Sequence, residues 1–489
     1  MSRANRFRLA VFTAVALSTG IATAADFPTT PPAPGPAPQL NVPTPTTQTL
    51  PNGLEVISVR RANLPLVTAQ LWVRRGGEMD PPQLAGLADL TANLLSKGAA
   101  GRSAPQIAAA AEALGGSLDA SAGWDESAIG ITVTTPKLPQ ALGLLAEVVR
   151  QPDFAEAEVQ RARSQAIDDL RLQLSQPTAL ASLAASRAVF GEGAYGHSRH
   201  GTPDSLKRIT RADVQRLHGE LYRPDNAILI LAGDITPAQA RALAQASFGD
   251  WNKPAAPLPP RPAGRAASQL PPILLIDQHG AGQAGVVAAH AAPPRRDDSY
   301  YVGSVANAVL GGSYSARLNE EIRIKRGLSY GAGSRLQGLG DAGVWLASAQ
   351  TKNPSAPQVV ELMLGQFRQL GDNRVDADEL AARKATLIGA YGRSLETTAG
   401  LAGEVAELAI YGLPLERIGK YVTEVQAVTP KQIEKYARRH LAADDLHVVV
   451  VGDAAQFGEA IRKDHPQAVL LQSTALDLDS PSLQAPTGH

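Results

Sequence analysis

Apolar positions along the chain recur in two periods that take turns. Alternating or continuous apolar runs over residues 54–60 and 66–74 predict strands, and a three-to-four spacing over 84–96 predicts a helix. The same reading gives helices over 105–114, 139–150, 155–174 and 213–222, and strands over 127–135 and 227–232. Trp251 closes this run, and the Pro/Ala-rich residues 252–272 read as a linker. Beyond the linker the pattern starts again. Thr210 stands at a helix start as Thr429 does, and Gly233-Asp234 follows ILILA as Gly452-Asp453 follows VVVV, with one constant offset between both pairs. A constant offset over matching strand–turn units marks an internal duplication. The expected fold class is therefore α+β, as two homologous halves over residues 48–251 and 273–472.

The two ends depart from this pattern. Arg3, Arg6 and Arg8 precede an apolar run over 9–17, and Ala22-Thr23-Ala24 supplies small residues for cleavage. That combination predicts a secretory signal peptide over 1–24, too short to span a bilayer. The Thr/Pro-rich residues that follow predict a disordered tether over 25–47, and the polar residues 473–489 predict a flexible tail. No later segment is apolar enough to cross a membrane, so the expectation is an exported, periplasmic protein. Lys+Arg and Asp+Glu both number 46. That balance argues against nucleic acid or an acidic membrane as the main partner. The chain contains no cysteine, which removes disulfides and thiol chemistry together.

The chemistry concentrates in residues 311–335, GGSYSARLNEEIRIKRGLSYGAGSR. Leu318 and Ile322 share a helix face, Glu320 and Glu321 precede Lys325 and Arg326, and Gly327 suits the left-handed residue that ends a helix. Such a unit brings Arg323, in the last turns, near Tyr330 at the start of a strand. A fork-shaped cation beside a phenol can hold a peptide carbonyl or a developing oxyanion. Spacing alone favours a plainer outcome, a solvated arginine and a half-core tyrosine.

The stretch closely resembles the C-terminal half of the M16 (pitrilysin/insulinase-like) metallopeptidases. There an Arg and a Tyr seven residues apart, in an R-x-K-R-G-L-x-Y-like context, bind substrate across a chamber from zinc. The resemblance covers roughly residues 42–472, nearly all of the expected mature chain. It implies duplicated sheet-plus-helices domains of the LuxS/M16 metallohydrolase type closing as a clam-shell, with substrate binding on Arg323 and Tyr330.

The family's zinc helix carries H-x-x-E-H, two His ligands one turn apart with the general base between them. Here the surrounding frame, Gly86-Leu87-Ala88 ahead and Lys97-Gly98 behind, is intact, but Asp89, Ala92 and Asn93 replace His, Glu and His. The third ligand, a downstream Glu, has Asp168 or Asp169 in its region. An oxygen-only set of this kind suits Mg or Ca rather than Zn, and nothing replaces the base. No histidine occurs before His197. The expectation is a first half with no cofactor of its own.

Two further motifs are read as decoys. Gly280-x-Gly282-x-x-Gly285 follows an apolar run but leads into Val286-Val287 and not into a helix, so it reads as loop and strand. His197-x-x-His200 lies in a Gly-rich loop and reads as loop-closing. By resemblance the chain is then the non-catalytic, substrate-binding subunit of a heterodimeric peptidase. Its partners would be an H-x-x-E-H-bearing M16 paralogue, which carries the zinc, and an unfolded peptide or small protein. A proteolytically inactive binding or assembly protein of the same fold is the alternative.

Overall fold

The computed structural model describes residues 42–484. The expected signal peptide, most of the expected tether and the last five residues lie outside that range.

The first half contains β1 (Thr46–Thr49), β2 (Glu55–Arg60), β3 (Leu66–Val73), β4 (Gly98–Ala99), β5 (Arg102–Ser103), β6 (Asp119–Ala122), β7 (Ser127–Thr134) and β8 (Ala227–Gly233). All but the small β4–β5 pair join one sheet in the order β1-β2-β8-β3-β7-β6. The second half contains β9 (Ile273–Asp277), β10 (Ala284–Ala292), β11 (Ser329–Gly338), β12 (Gly343–Thr351), β13 (His447–Gly452) and β14 (Val469–Gln472). Their order is β11-β12-β10-β13-β9-β14.

The duplication is therefore topological. In each half a parallel pair, β2 with β8 and β9 with β13, adjoins an antiparallel strand, β3 or β10, and then an antiparallel hairpin ending at an edge. Gly233 and Gly452 end the equivalent strands β8 and β13. Thr210 and Thr429 cap the helices that feed them, each hydroxyl accepting a backbone N–H three residues on at 3.3 Å.

Four helices position the rest: α1 (Leu87–Leu94), α2 (Glu156–Leu174), α3 (Pro177–Phe190) and α4 (Thr398–Ile410). One face of each sheet packs on helices of its own half; Val67, Leu71 and Leu229 meet Leu87 and Leu94 of α1 in one such core. The other face is covered by a helix from the opposite half. Ala181, Ala184 and Ala188 of α3 pack with Val287, Val449 and Val451 of the second sheet. Leu401, Val405 and Ala406 of α4 pack with Ile57, Ile228 and Ile230 of the first. Burying each of these large aliphatic side chains contributes about 1.5–3 kcal/mol, which fixes the exchange. Alanine on α3 permits close approach. At Gly285 of β10 a Cβ would lie 2.4 Å from the Thr178 amide nitrogen, so the sheet supplies a glycine there.

A polar knot sits on the same seam. The fully buried carboxylate of Asp125 accepts from Tyr195 Oη (2.6 Å), the Gly340 N–H (3.0 Å), Arg261 Nη1 (3.1 Å) and Tyr411 Oη (3.3 Å). Those partners come from the first half, the linker and the second half.

Two boundaries need correcting. β1 already begins at Thr46, inside the expected tether, because Thr46 to Thr49 pair with β2. The tail expected to be loose is packed through Gln484: Leu483 is fully buried, and Asp479 accepts from Thr202 Oγ1 at 2.6 Å and pairs with Arg208. Its apolar residues are few, but they find the α3 face of the second sheet. The linker has no regular structure yet is tied down, with the Ala194 and Tyr195 N–H groups bonded to the carbonyls of Ala263 and Gly264.

Candidate functional site

The helix frame of the first half forms as its sequence indicates. Asp80, buried, caps α1 by accepting the Gly86 and Ala88 N–H groups at 2.9 Å each. Burial holds its carboxyl well above the usual range. Asp89 and Asn93 then project together into a cavity of about 370 Å³, whose other walls include Lys97, Gln165, Asp169, Gln173 and His200. Asp169 is thus the α2 residue that faces α1. Asp168 points away, its side chain 73 % exposed and paired with Arg171 at 3.2 Å.

The residues do not fit a zinc ion. Ala92, at the position of the base, is fully buried against Ala88 and Ala122 and does not line the cavity of Asp89 and Asn93. Asn93 offers an amide, a poor zinc donor. Asp89 is engaged by His200, Nδ1 to Oδ2 3.1 Å. Among the described residues no three His, Asp or Glu side chains converge on a metal position.

The loop read as closing does close. His197 is buried with Nε2 3.0 Å from the Gly77 carbonyl, and burial lowers its pKa to about 4. Arg199 donates to the carbonyl of Ala122, the last residue of edge strand β6. Sequence reasoning missed that this loop carries His200 onto the old ligand face; a short His-Ser-Arg-His loop was its only sign. It also missed β6, four residues of weak pattern. The glycines 280, 282 and 285 lie in the β9–β10 loop and at the start of β10, with no helix among them.

In the second half Arg317–Asn319 forms one helical turn that widens over Glu320–Ile324 into a π-helical turn, with the Lys325 N–H reaching the Glu320 carbonyl at 2.9 Å. Such turns re-aim side chains and recur at functional sites. Gly327, φ +63°, then reverses the chain, its N–H bonded to the Arg323 carbonyl at 2.8 Å. Lys325 and Arg326 share Glu321 at 2.5 Å each. Arg323 has no carboxylate partner among the described residues.

The expected neighbour of Arg323 was Tyr330, but the ring it lies over is that of Tyr314, with Cζ 4.8 Å from the centroid. No Arg323–Tyr330 hydrogen bond forms among the described residues. Tyr330 stands free at the second position of β11, 91 % exposed. Buried Asn319 ties the pieces together: Nδ2 donates to the Tyr314 carbonyl at 2.6 Å, and Oδ1 accepts from the Ala332 N–H at 3.1 Å. One side chain thus joins the loop of Tyr314, the turn of Arg323 and the strand of Tyr330. A polar residue between Leu318 and Ile322 was the signal for it.

Fold and sites together define a metallopeptidase-like chain in which Asp89, Ala92 and Asn93 stand on the zinc-helix frame and, among the described residues, no metal-ligating cluster forms. Residues 55–202 match the insulinase family (peptidase family M16), and residues 208–387 match the peptidase M16 inactive domain. The chain belongs to peptidase family M16. It is 25 % identical over 394 residues to an "uncharacterized zinc protease" of Streptomyces coelicolor, covering 80 % of this chain and 86 % of that one. It is 22 % identical over 402 residues to a "non-peptidase homolog" of Helicobacter pylori, covering 80 % and 90 %. A peptidase M16 inactive domain from Pseudomonas fluorescens superposes with TM-score 0.78 at 27 % identity, covering 84 % of this chain and 98 % of that one.

Proposed function

We propose that this chain is the non-catalytic, substrate-binding subunit of an exported, periplasmic M16 peptidase. In this reading an H-x-x-E-H-bearing paralogue supplies zinc and general base, and this chain holds the peptide. The supporting observation is an asymmetry between the halves. The first half has lost its ligands and engaged Asp89 with His200. The second presents Arg323 without a carboxylate partner and Tyr330 in the open. A guanidinium fork and a phenol suit a scissile carbonyl whose charge grows during attack.

The test is to isolate the protein from its host after export, identify what copurifies, and assay peptide hydrolysis by the reconstituted pair. Copurification of an H-x-x-E-H chain and chelator-sensitive hydrolysis by the pair support the reading. Stable copurification with chains that lack the motif, and no hydrolysis, would turn it to the second reading, an inactive binding or assembly protein. The name of the Helicobacter pylori relative favours that alternative.

A further inference from the structure

The ring of Tyr314 lies under the guanidinium of Arg323 and is nevertheless 64 % exposed. Soluble proteins place isolated apolar groups on their surfaces freely, but here the exposed groups gather along one short stretch. Tyr314, Ile324 (48 % exposed) and Tyr330 (91 % exposed) are three of the six large hydrophobic residues exposed in the described chain. The stretch is held from beneath by Asn319 and shaped by the π-helical turn. Tyrosine and arginine on a rigid support are the residue types that dominate binding hot spots.

The charges around this patch sort themselves. Lys325 and Arg326 both pair with Glu321, while Arg323, without a carboxylate partner among the described residues, holds its Cζ over the Tyr314 ring, 4.8 Å from the centroid. A cation held over a ring is attracted without spending a conventional N–H···O bond, so the guanidinium keeps donors for a ligand. The contact also limits the rotamers of a long side chain that would otherwise be ordered only on binding. The exposed part of the Tyr314 ring offers apolar area beside those donors.

We infer that Tyr314 is a positioning and specificity-determining residue. It fixes the Arg323 fork, and its exposed ring contacts an apolar or aromatic side chain of an extended peptide whose neighbouring main-chain carbonyl Arg323 takes. This rests on the substrate-binding reading above and adds the class of peptide. A peptide basic at that side chain is disfavoured, since it brings a cation against Arg323.

The test is direct binding to the isolated exported chain, followed by fluorescence anisotropy. The probes are two labelled, terminally blocked decapeptides, one with a central phenylalanine and the other with lysine there. The wild type should bind the phenylalanine peptide more tightly. Tyr314→Ala and Tyr314→Leu should weaken it about fivefold, the scale of an exposed cation–π contact, while Tyr314→Phe keeps the ring and restores binding. Thermal melting should not change for any of them, because the side chain covers no core. Equal binding by Tyr314→Ala and wild type, with loss only in Arg323→Ala, would overturn the role of Tyr314 and leave the substrate-binding reading standing. Full binding by Tyr314→Leu would show that bulk, not the ring, matters and would overturn the positioning role. No peptide binding by the wild type would sink both.

Discussion

The imidazole Nδ1 of His200 stands 3.1 Å from a carboxylate oxygen of Asp89, on the helix face where the active members of the family hold zinc. A residue from a distant loop has thereby come to touch the old ligand face. The contact is half-open to water, with side-chain exposures of 45 % and 23 %, so it carries little stability by itself.

The first expectation concerns metal content. The purified chain should carry no stoichiometric zinc and cleave no peptide alone, because the His, Glu and His positions hold Asp89, Ala92 and Asn93. Elemental analysis after metal-free purification measures this. About one zinc per chain together with chelator-sensitive cleavage would falsify it.

Rebuilding the motif tests the geometry. Asp89→His, Ala92→Glu and Asn93→His with Asp169→Glu should bind zinc in a calorimetric titration, and the same set with Asp168→Glu should not, since Asp168 faces solvent. A glutamate at the fully buried Ala92 site has Ala88 and Ala122 to displace. The rebuilt protein should therefore melt below wild type until zinc is added. Equal zinc binding by both versions would mean that α2 turns differently from the structure.

Arg323 and Tyr330 should matter to turnover and not to folding. In the reconstituted pair, Arg323→Ala should lower hydrolysis on the order of a hundredfold, by analogy with losing one oxyanion donor, and Tyr330→Phe less. Arg323→Lys should recover only part, because a point charge cannot reproduce the planar fork. Wild-type rates from both variants in a well-formed complex would reduce the two residues to a turn and a strand start.

The seam between the halves should be sensitive to alkali. Burial pushes Glu78 up to about 8 and Glu126 up to about 7, the latter helped by neighbouring Asp125; the nearby cations Arg75 and Arg261 oppose the shift at Glu78. Unfolded, both carboxyls ionise near 4.5, so between 4.5 and the folded values the native state holds more protons and stability falls as pH rises. His197 acts oppositely. Its pKa drops from 6.5 to about 4, so its stabilisation is complete above pH 6.5 and lost as pH falls towards 4. Above pH 6.5 only the carboxyls still act, and Tm should decline up to about pH 8. Glu78→Gln should flatten part of that decline; identical profiles for variant and wild type would remove Glu78 as its cause.

Much of this was legible in the chain. The offset linking Thr210 to Thr429 and Gly233 to Gly452 is local strand and cap chemistry, and it returned the repeated topology directly. The degenerate zinc helix was equally plain, since frame and substitutions sit within thirteen consecutive residues. Contacts across sequence were not. Nothing in the spacing of residues 311–335 indicates that Arg323 would choose the ring of Tyr314 over that of Tyr330, because the π-helical turn changes the phase at which side chains emerge. The choice between Asp168 and Asp169 depended on a rotation of α2 that one helix's pattern does not fix. The packing of the tail rests on a few apolar residues, Leu483 with Leu476 and Leu478, finding a distant sheet.

The exchange of α3 and α4 bears on how the chain is made. While the ribosome is still translating the second half, the sheet of the first is complete, yet Ile57, Ile228 and Ile230 have no cover until residue 410 has emerged. Helix α3, finished much earlier, has no surface to settle on until Val449 and Val451 arrive near the end of synthesis. Neither half can reach its final state alone, and a nascent chain cut in the linker would be left with an open apolar face. Only when both halves are present can the two sheets trade helices, so the exchange makes folding of the described chain a single event.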